Sequence, residues 1–197
     1  MYLAYTPIEM IPHEVQLRLA VDLCISAITS KTIFNFGEVI GSPVLAVLKT
    51  GEKHIWLYNL IHALNSGDLS KFNEIMTSVT HPDLVANKES IKEKIILLSV
   101  MNLVFQKPSH DREISFTELE QATGLPNTQI EMTLMKALSL KLIKGTINEA
   151  EQTCTVTWVL PRVLNKDDIR IIDTQLDVWS NKVKSTLVMV EDQAAEL

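Results

Sequence analysis

The residue types that most often do chemistry are sparse in this sequence and poorly spaced for it. No two of the five histidines form H-x-x-x-H or H-x-H, and neither cysteine lies near a histidine in the sequence. Zinc sites are usually built from such short spacings. Cys24 and Cys154 each fall on an apolar face, which is typical of small buried hydrophobes. We therefore expect no metal site, no disulfide framework and no catalytic thiol.

Catalytic motifs are also missing. The sequence contains no G-x-x-x-x-G-K-[ST], G-x-G-x-x-G or G-x-S-x-G pattern, and its six glycines stand singly. Phosphate cradles and nucleophile elbows depend on those patterns. We therefore expect a protein that is not an enzyme and that uses no cofactor and no small-molecule ligand.

Composition restricts the partners further. With 18 basic and 24 acidic residues the net charge is −6, which argues against broad binding to nucleic acid or to an anionic membrane. The longest apolar stretch, residues 95–105, is interrupted by Ser99 and Asn102 and is too short to cross a bilayer. Hydrophobic residues make up 46% of the chain, which is enough for a core of ordinary size.

Apolar residues recur at helical spacing from His13 to about residue 107, which predicts helices in series. Pro12 suits the first turn of the first helix. Its expected apolar stripe is Leu17, Val21, Cys24 and Ile28. A second helix should begin near Asn35 and break at Gly41 and Pro43.

A third helix is predicted at residues 54–64, followed by a short helix capped by Asp68. The third helix is expected to turn five residues inward, which are Ile55, Leu57, Tyr58, Ile61 and Leu64. The next helix, residues 89–106, is apolar on nearly every side after its first turn. Such a helix belongs at the centre of a core.

The pattern changes after residue 108. Residues 114–116 suit a short strand, residues 117–120 have the spacing of a capping box, and Asn127 can cap a second helix. Two strands, 142–147 and 153–158, then flank a polar hairpin. Thr153, Thr155 and Thr157 are expected to face away from the core. Strand, helix, helix, strand, hairpin and strand is the order of a winged helix.

One long helix is predicted from Lys166 to the C-terminus. Its apolar residues follow a heptad seam, formed by Ile169, Ile172, Leu176, Trp179 and Val183 and continued by Val190. Leu187 and Ala194 lie one place off the seam, so the stripe drifts and a long two-stranded coiled coil is disfavoured. A helix docked in a bundle fits better, and folding back onto its own chain is an alternative.

Many winged helices bind DNA through their second helix, which is an alternative function here. From residue 109 to residue 160, four basic residues stand against seven acidic ones, a net charge of −3. The outward face of the second helix carries Met132, Met135 and a single lysine, Lys136. Nucleic-acid binding needs the opposite charge. The two methionines suit a protein contact, with ordinary packing as the other interpretation.

Helical hairpins that lead into a winged helix and a long C-terminal helix resemble the PCI domain of large scaffold complexes. In detail the chain resembles a PCI-domain subunit of the proteasome regulatory-particle lid. The stretches that carry the resemblance are residues 34–38, 43–45, 64–68, 135–139, 142–145 and 157–164. Trp158 and residues 161–163 are its most specific part. Because that family has a further helical-repeat half upstream, we expect this chain to be its C-terminal portion.

The resemblance implies a non-catalytic scaffold that helps to assemble the lid and so serves ubiquitin-dependent protein degradation. The expected partners are other PCI subunits, held through edges of the wing sheet and through a bundle of C-terminal helices, with no nucleic acid or membrane involved. The candidate interface residues are Ile114, Phe116, Thr153, Thr155, Thr157, Met132, Met135, Ile169, Ile172, Leu176, Trp179, Val183 and Val190. Which strand edge pairs is left open.

The resemblance also predicts a domain organisation and a cellular location. A helical-repeat part should span residues 1–108, a winged-helix part residues 109–164, and a bundling helix residues 165–197. Lid subunits of this type work in the cytoplasm and nucleus. A PCI subunit of the signalosome or of a translation initiation complex is the alternative within the same family, and a nucleic-acid-binding winged helix is the second alternative.

Overall fold

The computed structural model describes residues 11–50, 54–79, 81–107, 112–161, 163 and 166–195. The chain forms two compact units, residues 1–163 and residues 164–197. The expected fold class is confirmed, because the described residues are mainly helical with one small antiparallel sheet. The boundary expected at residues 108 and 109 stays a prediction.

The first part of the larger unit is a series of helices. They are α1 (His13–Thr29), α2 (Phe36–Ile40), α3 (Val47–Thr50), α4 (Ile55–Ser66), α5 (Leu69–Ser78), α6 (Pro82–Ala86) and α7 (Lys88–Gln106). A 3-10 turn, Pro43–Ala46, separates α2 from α3, so the break predicted at Gly41 and Pro43 is confirmed.

Helix α7 lies at the centre of the core, as predicted. A continuous run of its residues, 94–101, is buried. The polar member Ser99 is accommodated because its hydroxyl donates to the carbonyl of Ala122, at 3.1 Å. That bond joins α7 to the winged-helix part of the same unit.

The turn between α4 and α5 packs directly on α7. Gly67 has a φ of +67°, a left-handed conformation that L side chains rarely adopt. A Cβ at this position would lie 2.9 Å from the Cα of Ser99, so a side chain has no room. Asp68 then caps α5 as predicted, because its carboxylate accepts hydrogen bonds from the backbone N–H groups of Ser70 and Lys71, both at 3.1 Å.

The inward faces of two helices differ from the expected ones. Ile55 opens α4 and is 47% exposed, while Tyr58 is half-buried. The buried face of α4 is instead formed by Leu57, Leu60, Ile61, Ala63, Leu64 and Asn65. On α1, Leu17 and Val21 are half-buried, and the buried stripe is Ala20, Cys24, Ala27 and Ile28. The expected stripe was therefore wrong at Leu17 and Val21 and right at Cys24 and Ile28.

The winged-helix part follows the predicted order. Its elements are β1 (Glu113–Ser115), α8 (Phe116–Thr123), α9 (Asn127–Ser139), β2 (Ile143–Asn148) and β3 (Thr153–Val159). The three strands pair antiparallel in the order β1, β3, β2. Ile114 lies opposite Cys154 on one side of β3, and Thr146 lies opposite Thr155 on the other.

Two helix starts in this part were predicted at the wrong residue. The capping box of α8 pairs Ser115 with Glu118, two residues before the predicted start at Thr117. Ser115 and Thr117 are each followed by a glutamate three residues later, so the sequence offers two possible capping boxes. The pairing of β1 with β3 decides which of the two forms. Asn127 is the first residue of α9 and does not cap it, since Pro126 occupies the cap position.

Lys94 is a buried charge that the sequence analysis did not single out. Its ammonium group donates to the carbonyls of Ala27, Ile28 and Ser30, at 2.9, 3.3 and 2.7 Å. These carbonyls belong to the end of α1, where a helix presents partial negative charge. Burial lowers the pKa of Lys94 to about 8. The lysine therefore joins α7 to α1 and satisfies acceptors that would otherwise be buried without a donor.

The second unit contains α10 (Lys166–Ala195), a single helix of 30 residues. The long C-terminal helix expected from the sequence is confirmed over these residues. Residues Tyr2, Leu3 and Tyr5, at the start of the chain, and His110 lie outside the described residues.

The buried state of Lys94 predicts an unusual dependence of stability on pH. Native Lys94 loses its proton near pH 8, whereas an unfolded lysine keeps it to about pH 10.4. Between those values the unfolded state binds more protons, so this lysine makes the free energy of unfolding rise with pH. From pH 7 to 10.5 we expect the difference between the native protein and Lys94→Met to grow by about 3 kcal/mol in favour of the native protein.

Urea denaturation at a series of pH values measures this difference. Lys92→Met is the matched control, because Lys92 is exposed on the same helix. Its curve should run parallel to that of the native protein. A parallel curve for Lys94→Met would contradict the prediction.

Candidate protein-interaction site

The sheet order shows where the candidate interface residues of the wing lie. β3 is the central strand, and the backbone groups of Thr153 and Thr155 lie between β1 and β2 and offer no edge, while Thr157 lies at the irregularity of the β2–β3 pairing. Ile114 and Phe116 are core residues, 1% and 3% exposed. The side chains of Thr155 and Thr157 are exposed on the outer face of the sheet. The available edges are those of β1 and β2.

The outer edge of β1 is largely closed by the chain's own side chains. The N–H of Phe116 donates to Gln152 and the carbonyl of Arg112 accepts from Val156, so alternate residues face β3 and Glu113 and Ser115 face outward. The carbonyl of Glu113 accepts from the Lys107 ammonium at 3.0 Å. The N–H of Ser115 donates to the Glu118 carboxylate at 3.2 Å.

An ion pair holds these two side chains in place. The Lys107 ammonium lies 2.8 Å from the Glu118 carboxylate. This hydrogen bond is the main reason why the pKa of Glu118 lies below its usual value. Two of the outward backbone groups of β1 are therefore already bonded, and a partner strand would have to displace both.

The outer edge of β2 pairs with no strand among the described residues. Leu142 accepts from the N–H of Leu160, so even-numbered residues of this strand face β3 and Ile143, Gly145 and Ile147 face outward. β2 is six residues long, twice the length of β1. An unpaired edge of this length is a template for another strand.

Helix α9 presents two exposed methionines beside the sheet. Met132 and Met135 are 70% and 50% exposed, as expected from the sequence. Lys136, the one outward lysine predicted for this face, forms an ion pair with Glu93 of α7. This pairing weakens the case for phosphate binding, because the positive charge is already compensated.

Helix α10 carries the largest group of exposed apolar side chains among the described residues. Most of the predicted seam is exposed, namely Ile169 (55%), Leu176 (56%), Trp179 (65%), Val183 (48%) and Val190 (55%), while Ile172 is half-buried. The sequence analysis missed Val178, Val188 and Met189, which are exposed as well. In its second half the helix is therefore apolar on more than one side.

The described residues show no cluster suited to metal binding. They contain no group of three or more His, Cys, Asp or Glu side chains that could hold a metal ion. Burial raises the pKa of Cys24 to about 12 and raises that of Cys154 as well, so both thiols stay protonated at neutral pH. None of the described helices is both long enough and apolar enough to span a membrane.

Family comparisons agree with this architecture. The family model for the PCI domain matches residues 74–158, and the model for the PSD13 N-terminal repeats matches residues 1–61. The PCI match covers α7 and the winged-helix part as far as Trp158 in β3. Residues 74–158 therefore match a PCI domain.

The chain is similar over its whole length to 26S proteasome non-ATPase regulatory subunit 13. The Dictyostelium discoideum protein of that name is 38% identical over 204 residues, which are 100% of this chain and 52% of that protein. Homolog A from Arabidopsis thaliana is 37% identical, with the same coverage. The probable regulatory subunit rpn9 of Schizosaccharomyces pombe is 34% identical over 97% of this chain and 50% of its own length. The resemblance inferred from the sequence is confirmed.

The chain spans about half the length of these relatives. A more distant similarity links it to eukaryotic translation initiation factor 3 subunit M of Coccidioides immitis, at 22% identity over 193 residues.

Proposed function

We propose that this chain is a non-catalytic scaffold subunit of the proteasome regulatory-particle lid, which works in the cytoplasm and nucleus. Its role would be to hold other PCI subunits together and so to support ubiquitin-dependent protein degradation. The observation that carries the proposal is the exposed apolar seam of α10, in a chain similar over its whole length to proteasome regulatory subunits.

Burial of the seam supplies the driving force for assembly. The seam is the set Ile169, Ile172, Leu176, Trp179, Val183 and Val190. Each large apolar side chain gains roughly 1.5 to 3 kcal/mol when it is fully removed from water. A bundle with helices of neighbouring subunits would cover the seam.

The wing sheet supplies a second contact, for which we propose the β2 edge. Its outward N–H and carbonyl groups can pair with a strand of a neighbouring subunit, and main-chain pairing gives both affinity and orientation. The β1 edge is the weaker candidate, because Lys107 and Glu118 occupy it. The exposed side chains of Thr155 and Thr157 on the outer face of the sheet, and of Met132 and Met135 on α9, would add contacts with neighbouring subunits.

The other assignments have less support. A PCI subunit of a translation initiation complex corresponds to the similarity at 22% identity, well below the values for proteasome subunits. Nucleic-acid binding is disfavoured by the net charge of the winged-helix part and by the pairing of Lys136 with Glu93. Mass spectrometry of the native complex separates these assignments.

Charged residues in the seam should abolish assembly without unfolding the larger unit. We expect Leu176→Glu with Trp179→Glu to reduce co-purification with other lid subunits at least tenfold, because two buried carboxylates would be left unpaired in the bundle. The measurement is quantitative pull-down of the tagged chain from an assembling lid, together with far-UV circular dichroism.

The matched control adds the same charge to another face of the helix. Thr174→Glu with Asn181→Glu changes two exposed polar residues on the opposite side of α10 and should leave co-purification unchanged. If the seam variant unfolds the larger unit, the seam is internal core and the scaffold mechanism is wrong.

The β2 edge can be tested separately with proline. The N–H of Ile147 faces outward, so Ile147→Pro removes a donor from the edge without removing a bond between β2 and β3. We expect this variant to stay folded and to lose at least fivefold in co-purification. Ile147→Val keeps the N–H and should behave as the native chain. Equal co-purification of both variants would contradict pairing at this edge.

A further inference from the structure

Two stretches that marked the family resemblance meet in the structure, although neither belongs to the wing edge or to the seam. They are residues 34–38 and residues 161–163. The N–H of Val163 donates to the side-chain oxygen of Asn35 at 3.3 Å, across 128 positions of sequence. The side-chain nitrogen of Asn35 donates to Glu38 at 2.9 Å, which fixes the amide with its oxygen available to Val163.

The backbone of Val163 also lies directly against α2 at Gly37. A Cβ on Gly37 would be 2.6 Å from the Cβ of Val163 and 2.9 Å from its carbonyl oxygen. Such distances are shorter than atoms in contact allow, so the close approach depends on the missing side chain. Val163 is therefore held twice, by the hydrogen bond to Asn35 at the cap of α2 and by the close contact with Gly37 inside α2.

The segment that receives Val163 is itself braced by Lys94. The Lys94 ammonium donates to the carbonyl of Ser30 and lies 5.5 Å and 4.9 Å from the ring centroids of Phe34 and Phe36. These rings stand on either side of Asn35 in the sequence, and cation–π attraction holds them near the buried charge. The acceptor for Val163 is therefore fixed to the core through α7.

We infer that Asn35 and Gly37 form an anchor that holds the chain at Val163 and so shortens the tether between the winged helix and α10. The inference rests on the proposed function, in which the wing and α10 engage one assembly at two points. From Val163 to Lys166, where α10 begins, there are three peptide steps, which span at most about 11 Å.

Release of the anchor would double the length of the tether. The preceding fixed point is Leu160, whose N–H donates to the carbonyl of Leu142 at 2.8 Å, and it lies six steps before Lys166. The effective concentration of a second, linked contact falls roughly as the −3/2 power of tether length, so doubling the length lowers it about threefold. The anchor would thus favour simultaneous engagement of both contacts.

Alanine substitutions in the full chain test the anchor. In Gly37→Ala we expect the amide of Val163 to exchange with solvent at least tenfold faster, as measured by nuclear magnetic resonance, because the new Cβ displaces Val163. Gly41→Ala is the matched control: it lies next to the same helix, its Cβ would come no closer than 3.3 Å to another atom, and it should leave the exchange unchanged. Unchanged exchange in Gly37→Ala, or equal acceleration in Gly41→Ala, would overturn the anchor.

A second variant protects the test against misfolding of Gly37→Ala. Asn35→Ala keeps the glycine and removes only the acceptor, and it should accelerate exchange at Val163 severalfold. No acceleration would overturn the anchor. Co-purification with lid subunits should fall about threefold in the variant that frees Val163. If Val163 is freed and co-purification is unchanged, the tether role is wrong, whereas the seam variants decide the scaffold proposal independently.

Discussion

The need to remove apolar side chains from water organises both units of this chain, but only the larger unit meets that need with its own residues. Helix α7 is apolar on nearly every side, and the helices and winged-helix elements of residues 1–163 bury it. Helix α10 has a comparable stripe of large apolar residues, several of them about half exposed. An isolated helix cannot cover such a stripe, and helical stability in proteins comes mostly from packing. The proposed function rests on this contrast.

Polar groups are under a complementary constraint, because backbone and charged groups that are buried need hydrogen-bond partners. Lys94 donates hydrogen bonds to three carbonyls at the end of α1, and Lys107 and Glu118 occupy outward groups of β1. The six-residue edge of β2 has no comparable cover among the described residues. The two edges of the wing are therefore unequal, and the proposed strand pairing uses the one without such cover.

Local signals predicted much of the fold. The cap at Asp68 and the all-round apolar character of α7 lie within short windows of sequence, and both were found where expected. The start of α8 was two residues off, because Ser115 and Thr117 offer the same capping pattern. Only the pairing of β1 with β3, which joins distant residues, separates the two.

The interaction site was less predictable for the same reason. The seam of α10 is periodic within one helix, so spacing alone revealed it. The unpaired edge of the wing depends on the order of strands, which joins distant residues, so the sequence left the choice of edge open. Nothing local marks Lys94, which follows Lys92 and Glu93 in the sequence, or the contact of Asn35 with Val163, 128 residues away.

Hydrogen exchange of α10, compared between the free chain and the assembled lid, tests the central claim most directly. If the seam awaits a partner, amides between Ile172 and Val190 should exchange quickly in the free chain and at least a hundredfold more slowly in the assembly. If those amides are equally slow in the free chain, the helix has already buried its seam on its own protein, and a role for the seam in assembly is contradicted.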